Sequence, residues 1–470
     1  MVSSYEYGDG KGRRRRGRGN FRDSSNNGTD VESSNGRRSE KIRKLLLGFG
    51  FWVQGLRCFP WLGVNFFLKD GLKLDPSSLQ MLQNSANLPM VAKPFYGILS
   101  DSYYIFGQHR IPYIAVGAFL QAISWFALAF LPASSISFFT VTFFLLLSNL
   151  GASVVEVAND AIVAETSRQL VPSSKDSKPS SSGKLQSFVW MATAIGGVVG
   201  NLVGGVAIDK FSPQLIFLVF GIIVTIQFLI TVFIHEKALD LPKNTSSLGI
   251  RKQLAELLAA LQKPEISYSI GWFAASYATI PALTGTMFYY QTEHLKIESS
   301  LLGISKVIGQ AAMLLWGVMY EKNFKSISPR KLISSIQVAM AVLMISDILF
   351  VEGIYRSMGI PDCVYVMVLS GVLEILCFFK ILPFTVIMAQ LCPPGCEGSL
   401  MAFLMSSVAL AMIVSGYLGV ALASYVKVTG NDFSGLQRGL LIQAACTLLP
   451  LYWASYIPND IKAEAKTKEN

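Results

Sequence analysis

KPFYGILSDSYYIFGQHRIPY, residues 93–113, governs how the rest of the chain is read. It is a short polar turn set between two apolar runs of membrane-spanning length. Gly97 and Gly107 supply backbone freedom, Ser100 and Asp101 a polar and an acidic group, and Arg110 a cation. Glycine tolerates a sharp bend, and a carboxylate and a guanidinium beside it can latch to charges on neighbouring helices. The pattern predicts a hinge between two helices that rock, and so a moving membrane protein rather than a static anchor.

Composition points the same way. The chain has 470 residues, 51% hydrophobic and 15% charged, whereas a soluble domain carries about 25% charged residues. Low charge and repeated apolar runs place it in the membrane. The net charge of +10 is not a nucleic-acid surface: 12 of the 40 Lys and Arg residues fall in positions 1–44 and most others in alternate loops. Residues 1–44 are rich in Gly, Ser and Arg without periodicity, and are expected to form a disordered basic tail against the membrane. Acids at Glu6, Asp9, Asp23, Asp30, Glu32 and Glu40 interrupt it, whereas a chloroplast transit peptide is poor in acids. The pair Cys392 and Cys396 (CPPGC) lacks the partner pair a zinc site needs, so no metal or other cofactor is expected. With three histidines and no Walker loop, HExxH site or Ser-His-Asp set, an enzyme is not expected.

Twelve apolar stretches near the roughly 20 residues a bilayer requires follow the tail. Spans 1–6 are centred on 45–68, 78–99, 111–131, 137–160, 185–207 and 214–235, and spans 7–12 on 266–290, 298–319, 332–352, 363–389, 398–425 and 437–457. The expected fold is an all-α polytopic membrane protein. Its twelve transmembrane helices form two six-helix halves (45–235 and 266–457), joined by a cytosolic linker (236–265) and followed by a tail (458–470). That arrangement resembles the major facilitator fold. Putting both termini in the cytosol gives that side 29 Lys and Arg against 7 on the other, which fixes the orientation. The halves also echo each other: Gly97, Asp101 and Arg110 recur at identical spacing as Gly317, Glu321 and Arg330.

Ionisable groups inside spans are costly and face cavities or each other. At about 1.5 Å per residue, Arg57 lies about 18 Å into span 1, Glu374 about 16 Å into span 10 and Lys306 about 12 Å from the outer side. These three are the central-cavity candidates. Lys93 and Lys380 lie nearer the cytosol, where they can bind or snorkel. Glu156 reads equally as ligand or latch, and Asp347 as a group reaching the outer headgroups. The candidate substrate-binding set is therefore Arg57, Lys93, Glu156, Lys306, Glu374 and Lys380. The gating set is Gly97, Asp101 and Arg110, with Asp160 or Glu165 as the partner of Arg110, and Gly317, Glu321 and Arg330. IGGVVGNLVGG (195–205) in span 5 predicts close helix packing, and Pro60, Pro89, Pro94, Pro281 and Pro383 predict kinks in spans 1, 2, 7 and 10.

WLGVNFFLKDGLKLDPSSLQ (61–80) leading to KPFYGILSD, ANDAIVAE (158–165) and LCPPGCEGSLMAFLMS (391–406) carry a resemblance over roughly residues 45–457. The chain is similar to the folate-biopterin transporters, a major facilitator branch, as a plant-type member. The resemblance implies alternating-access movement of folates or pterins, with protons as the presumed coupling ion and the lipid bilayer as surroundings. A pterin's adjacent ring N–H and amino donors suit a carboxylate such as Glu374 or Glu156. A folate's glutamate tail suits Arg57, Lys306 or Lys93. Phe66, Phe67, Phe95, Tyr96 and Phe379 offer stacking faces or helix packing. Another organic anion as substrate, and a non-transporting sensor or scaffold with the same fold, are the alternatives. Plasma membrane, vacuole and plastid envelope all stay open.

Overall fold

The computed structural model describes residues 24–132, 136–169, 181–239, 250–324, 327–391 and 397–457. The CPPGC stretch and the tail after 457 lie outside the described residues, as do residues 1–23. Helix occupies each of the twelve expected windows. Among the described residues, eight helices are long and apolar enough to cross a membrane: Ile111–Phe130, Phe138–Thr166, Ser187–Lys210, Pro213–Phe233, Ser299–Met319, Pro329–Val351, Asp362–Met388 and Ser399–Tyr425. Spans 1, 2, 7 and 12 are instead interrupted.

Proline decides where they break. A proline clashes with the carbonyl four residues back. Pro60 accordingly sits over Leu56, where span 1 passes from the helix Ser24–Leu56 to Cys58–Phe66. Pro89 and Pro94 bracket the 3-10 segment Leu88–Ala92 that joins Pro76–Ala86 to Lys93–Ser102 in span 2. Pro281 lies in the gap between Pro264–Ala278 and Thr284–Tyr289 of span 7, and Pro383 follows the 3-10 turn Cys377–Lys380 of span 10. Pro450 opens the 3-10 end of span 12, Leu449–Tyr456. The first helix already begins at Ser24, so part of the segment read from composition as structureless is helical. Its polar stretch is supported by the Lys44–Glu40 pair one turn apart and by Arg43 Nη1 donating to Leu239 O at 3.2 Å.

The turn that opened the sequence reading is tighter than expected, and its two glycines do different things. Gly107 takes φ +72° in the turn between spans 2 and 3, whereas Gly97 is an ordinary helical residue facing Val157. In span 5, Gly196 meets span 1 so closely that a Cβ there would run into Trp52 O, and Gly55 is pressed in the same way against Thr193 O. Gly317, the counterpart of Gly97, has no atom within 4 Å of where its Cβ would lie. Gly196→Ala should therefore destabilise the fold by about 1–3 kcal/mol through overpacking. Gly317→Ala should be neutral or stabilise by up to about 1 kcal/mol. Thermal unfolding of both variants in detergent checks this, and equal midpoints would contradict it.

Candidate functional site

Two charge clusters face each other across the line where the halves meet. In the first half, Arg57 Nη1 donates to Glu156 Oε1 at 2.6 Å and Lys93 Nζ to Glu156 Oε2 at 2.6 Å. Arg57 Nη2 also donates to Asn149 Oδ1 at 2.7 Å, and Asn149 Nδ2 in turn donates to Ala86 O at 2.6 Å. One carboxylate thus ties spans 1, 2 and 4 together, and Asn149 caps the broken end of the Pro76–Ala86 helix. In the second half, Lys306 of span 8 is paired with Glu374 of span 10. The clusters differ in access. Glu156 is 10% exposed, Lys306 40% and Glu374 49%. Span 5 lies between spans 1 and 8: a Cβ on Gly200 would press on Leu56 and Phe59 of span 1, and one on Gly303 of span 8 would strike Asn201 O. Arg57 and the Lys306–Glu374 pair, up to 317 residues apart in sequence, therefore lie on the two sides of span 5 where the halves meet.

Away from this centre the bundle has two ends. One, the terminal face, carries the 103–110 turn and the ends of spans 1 and 12; the other is the opposite face. At the terminal face Arg110, 4% exposed, donates from Nη2 and Nε to Glu165 Oε1 at 2.7 and 3.2 Å and from Nη1 to Ser100 Oγ at 2.6 Å, and it is also paired with Asp101. Its backbone N–H and that of His109 are received by Glu236, just beyond span 6, which places an anion at the start of span 3. At the opposite face the halves are latched directly. Lys69 Nζ bonds Glu293 Oε1 at 2.6 Å, Asp209 takes the hydroxyl of Ser299, Tyr289 donates to Leu74 O, and Gln80 reaches Ala282, Gly285 and Gly416.

Several expected placements need correcting. Asp160 does not reach Arg110: it is five residues from Glu165, about 140° round an α-helix, and is exposed. Its charged neighbours are Glu156 and Lys93. Lys380 neither snorkels nor lines the centre. It is fully buried, with Nζ bonded to Gln337 Oε1 at 2.8 Å and Ser276 Oγ at 3.1 Å, and lies 4.0 Å from the Tyr277 ring centroid. Asp347 is buried against Tyr365 Oη at 3.0 Å rather than extended to headgroups. Arg330 donates to Ile457 O at 2.6 Å and Ser455 O at 2.8 Å; the side chain of Glu321 lies outside the described residues. Of the aromatics, Phe66 packs on Phe288, Phe67 on Phe217 and Phe379 on Trp316, leaving Phe95 exposed at 64%. Sequence reasoning missed Glu236, Asn149 and Gln80. Only Glu236, an acid directly after a span, carried a signal in the sequence.

The fold matches those of known solute transporters. A point mutant of the nucleoside transporter NupG aligns with a TM-score of 0.65 over 88% of this chain and 99% of its own, at 16% identity. The D-xylose-proton symporter aligns at 0.64 over 89% and 98%, at 15% identity. The chain is thus an all-α polytopic membrane protein of the major facilitator fold. The BT1 family model matches residues 54–470, and the chain belongs to that family. It is 60% identical over 442 residues to "Probable folate-biopterin transporter 7" of Arabidopsis thaliana, covering 94% of this chain and 99% of that one. To the "Folate-biopterin transporter" of Synechocystis it is 27% identical, covering 89% and 82%.

Two predictions follow from the latches. Arg110→Glu leaves like charges buried beside Glu165 and should cost about 3–5 kcal/mol. Adding Glu165→Arg should restore stability and cycling, and Asp160→Arg should not; thermal unfolding and exchange kinetics of the three variants read this out. At the opposite face, hydrogen bonds first from Lys69 and then from Lys296 hold the Glu293 carboxyl below its ordinary 4.5. Because the folded value is depressed, the pair's contribution is complete above 4.5 and is lost as pH falls through that lower value. Spin-label distances across that face should stay constant from about pH 8 to about pH 5 and lengthen only below about pH 4. An inflection near neutrality that survives Glu293→Gln would contradict this assignment.

Proposed function

We propose that the chain moves folates or pterins across a membrane by alternating access, with both termini in the cytosol. The observation that carries this reading is the accessible Lys306–Glu374 pair, set where span 8 packs through span 5 onto span 1 beside Arg57, in a BT1 family member similar to the folate-biopterin transporters of Arabidopsis and Synechocystis. The 29 to 7 distribution of Lys and Arg between the two faces supports the orientation.

The chemistry suits such a ligand. A pterin edge presents two adjacent N–H donors that one carboxylate accepts together, and a folate adds a carboxylate tail that seeks a cation. Lys306 and Glu374 are the accessible charges of opposite sign, already paired with each other. The ligand exchanges into that pair, with Glu374 taking the donor edge and Lys306 the tail. Arg57, Lys93 and Glu156, more buried and mutually saturated, hold the wall behind it. Asp160, exposed beside Glu156 and Lys93, is the free acid on the route to the terminal face.

Uptake of labelled folate and of a tail-less pterin into proteoliposomes, with and without an imposed pH gradient, tests the reading. Flux should saturate. Glu374→Gln should weaken uptake of both ligands roughly 10–100-fold, the worth of a charged hydrogen bond. Lys306→Gln should weaken folate uptake by a similar factor and spare the pterin. Robust saturable flux of an unrelated solute, with none of either ligand, would end the substrate assignment; dependence on the gradient would identify protons as the coupling ion.

A further inference from the structure

Span 7 loses its helix after Ala278 and regains it at Thr284. Backbone groups freed by such a break must find partners inside an apolar bundle. Two find them within their own half: Ile280 O accepts from Ser415 Oγ at 2.5 Å, and Ala282 N donates to Ser415 O at 3.1 Å. Two others are served from across the interface by one side chain of span 2. Gln80 Nε2 donates to Ala282 O at 2.7 Å and Gln80 Oε1 accepts from Gly285 N at 2.8 Å. The same Nε2 donates to Gly416 O of span 11 at 2.7 Å. A primary amide has two N–H donors and one acceptor oxygen, so both donors and the oxygen of Gln80 are committed to backbone of the other half. The residue is 3% exposed.

We infer that Gln80 is the positioning residue of the opposite-face gate: its amide completes the broken backbone of span 7 only while the halves are docked there. The inference rests on the alternating-access reading for its purpose, but not for its geometry. Parting the halves withdraws three hydrogen bonds at once and leaves Ala282 O and Gly285 N–H to be rehydrated or to re-form helix. Opening at that face and the conformation of span 7 are therefore one event. The seam is close there, since a Cβ on Gly285 would strike Pro76 O and one on Gly416 would strike Asn84. The Lys69–Glu293 pair nearby is different in kind: Glu293 is 39% exposed, and exposed pairs hold weakly in water.

The experiment measures the distance between spin labels at Lys210→Cys and Glu298→Cys, exposed residues on the two halves at the opposite face, by pulsed electron resonance on the purified full chain without ligand. Gln80→Leu removes all three bonds. Gln80→Glu keeps the size and the acceptor for Gly285 but removes both donors, so it serves if Gln80→Leu does not fold. Either variant should raise the long-distance population roughly tenfold or more. Ser415→Ala, which cuts only a bond within one half, should leave the distribution unchanged. Wild-type distances in both monodisperse Gln80 variants would overturn the inference, as would an equal shift in Ser415→Ala. Because no substrate enters the measurement, its outcome is independent of whether folates or pterins are carried.

Discussion

A helix broken inside an apolar bundle exposes backbone groups that no water can satisfy, and the rest of this structure is arranged around that constraint. The proline breaks of spans 2, 7, 10 and 12 are met by polar groups from neighbouring spans. Asn149 supplies Ala86 O at the break of span 2. Gln80 and Ser415 supply the gap in span 7. Tyr277 Oη donates to Cys377 O and Trp316 Nε1 to Phe379 O at the 3-10 turn of span 10. Trp272 Nε1 donates to Pro450 O and Gln337 Nε2 to Thr447 O at the end of span 12. An unmade bond at any of these sites would cost about 1–3 kcal/mol, so the breaks are held in defined shapes. Most repairs come from within the same half and make that half rigid. Gln80 comes from the other half, which makes the shape of span 7 depend on docking.

The charged residues divide along similar lines. Glu156 is saturated by Arg57 and Lys93, and Arg110 by Glu165, Asp101 and Ser100, all within one half. Such buried pairs contribute little net stability but are costly to break singly, so they define a rigid body rather than a moving contact. Lys380 serves the second half in the same way with neutral partners, Gln337, Ser276 and the Tyr277 ring. What is left to change during a cycle is the exposed Lys306–Glu374 pair and the cross-half contacts.

Depth and hydropathy were legible in the sequence because they depend on position along one span. The helical windows and the breaks at Pro60, Pro89, Pro281 and Pro383 follow from counting residues. Rotation about a helix axis was less legible. Asp160 and Lys380 lie at suitable depths but on the wrong side, and for Asp160 the angle from Glu165 could have been reckoned from helical period alone. Partnership between spans was not legible at all. Gln80 and Asn149 are uncharged residues in polar company, and their importance comes from backbone atoms 202 and 63 positions away. The repeated spacing of Gly, acid and base does not by itself name partners, which depend on what the neighbouring span presents: Glu165 to Arg110, and the carbonyls of Ser455 and Ile457 to Arg330.

The asymmetry between the two central clusters bears on what a ligand can do. A charge that is already saturated and buried cannot gain from a ligand without first losing its own bonds, and with them the span-to-span contacts it maintains. Breaking Glu156 away from Arg57 and Lys93 would loosen spans 1, 2 and 4 together. The Lys306–Glu374 pair joins only spans 8 and 10, and its side chains are 40% and 49% exposed, so exchanging one partner for a ligand group of the same charge would cost less desolvation. On the proposed reading, recognition would replace that ion pair by two ligand contacts of matching sign. A ligand carrying both a donor edge and an anionic tail, held at the right separation, satisfies it better than a simple anion or cation.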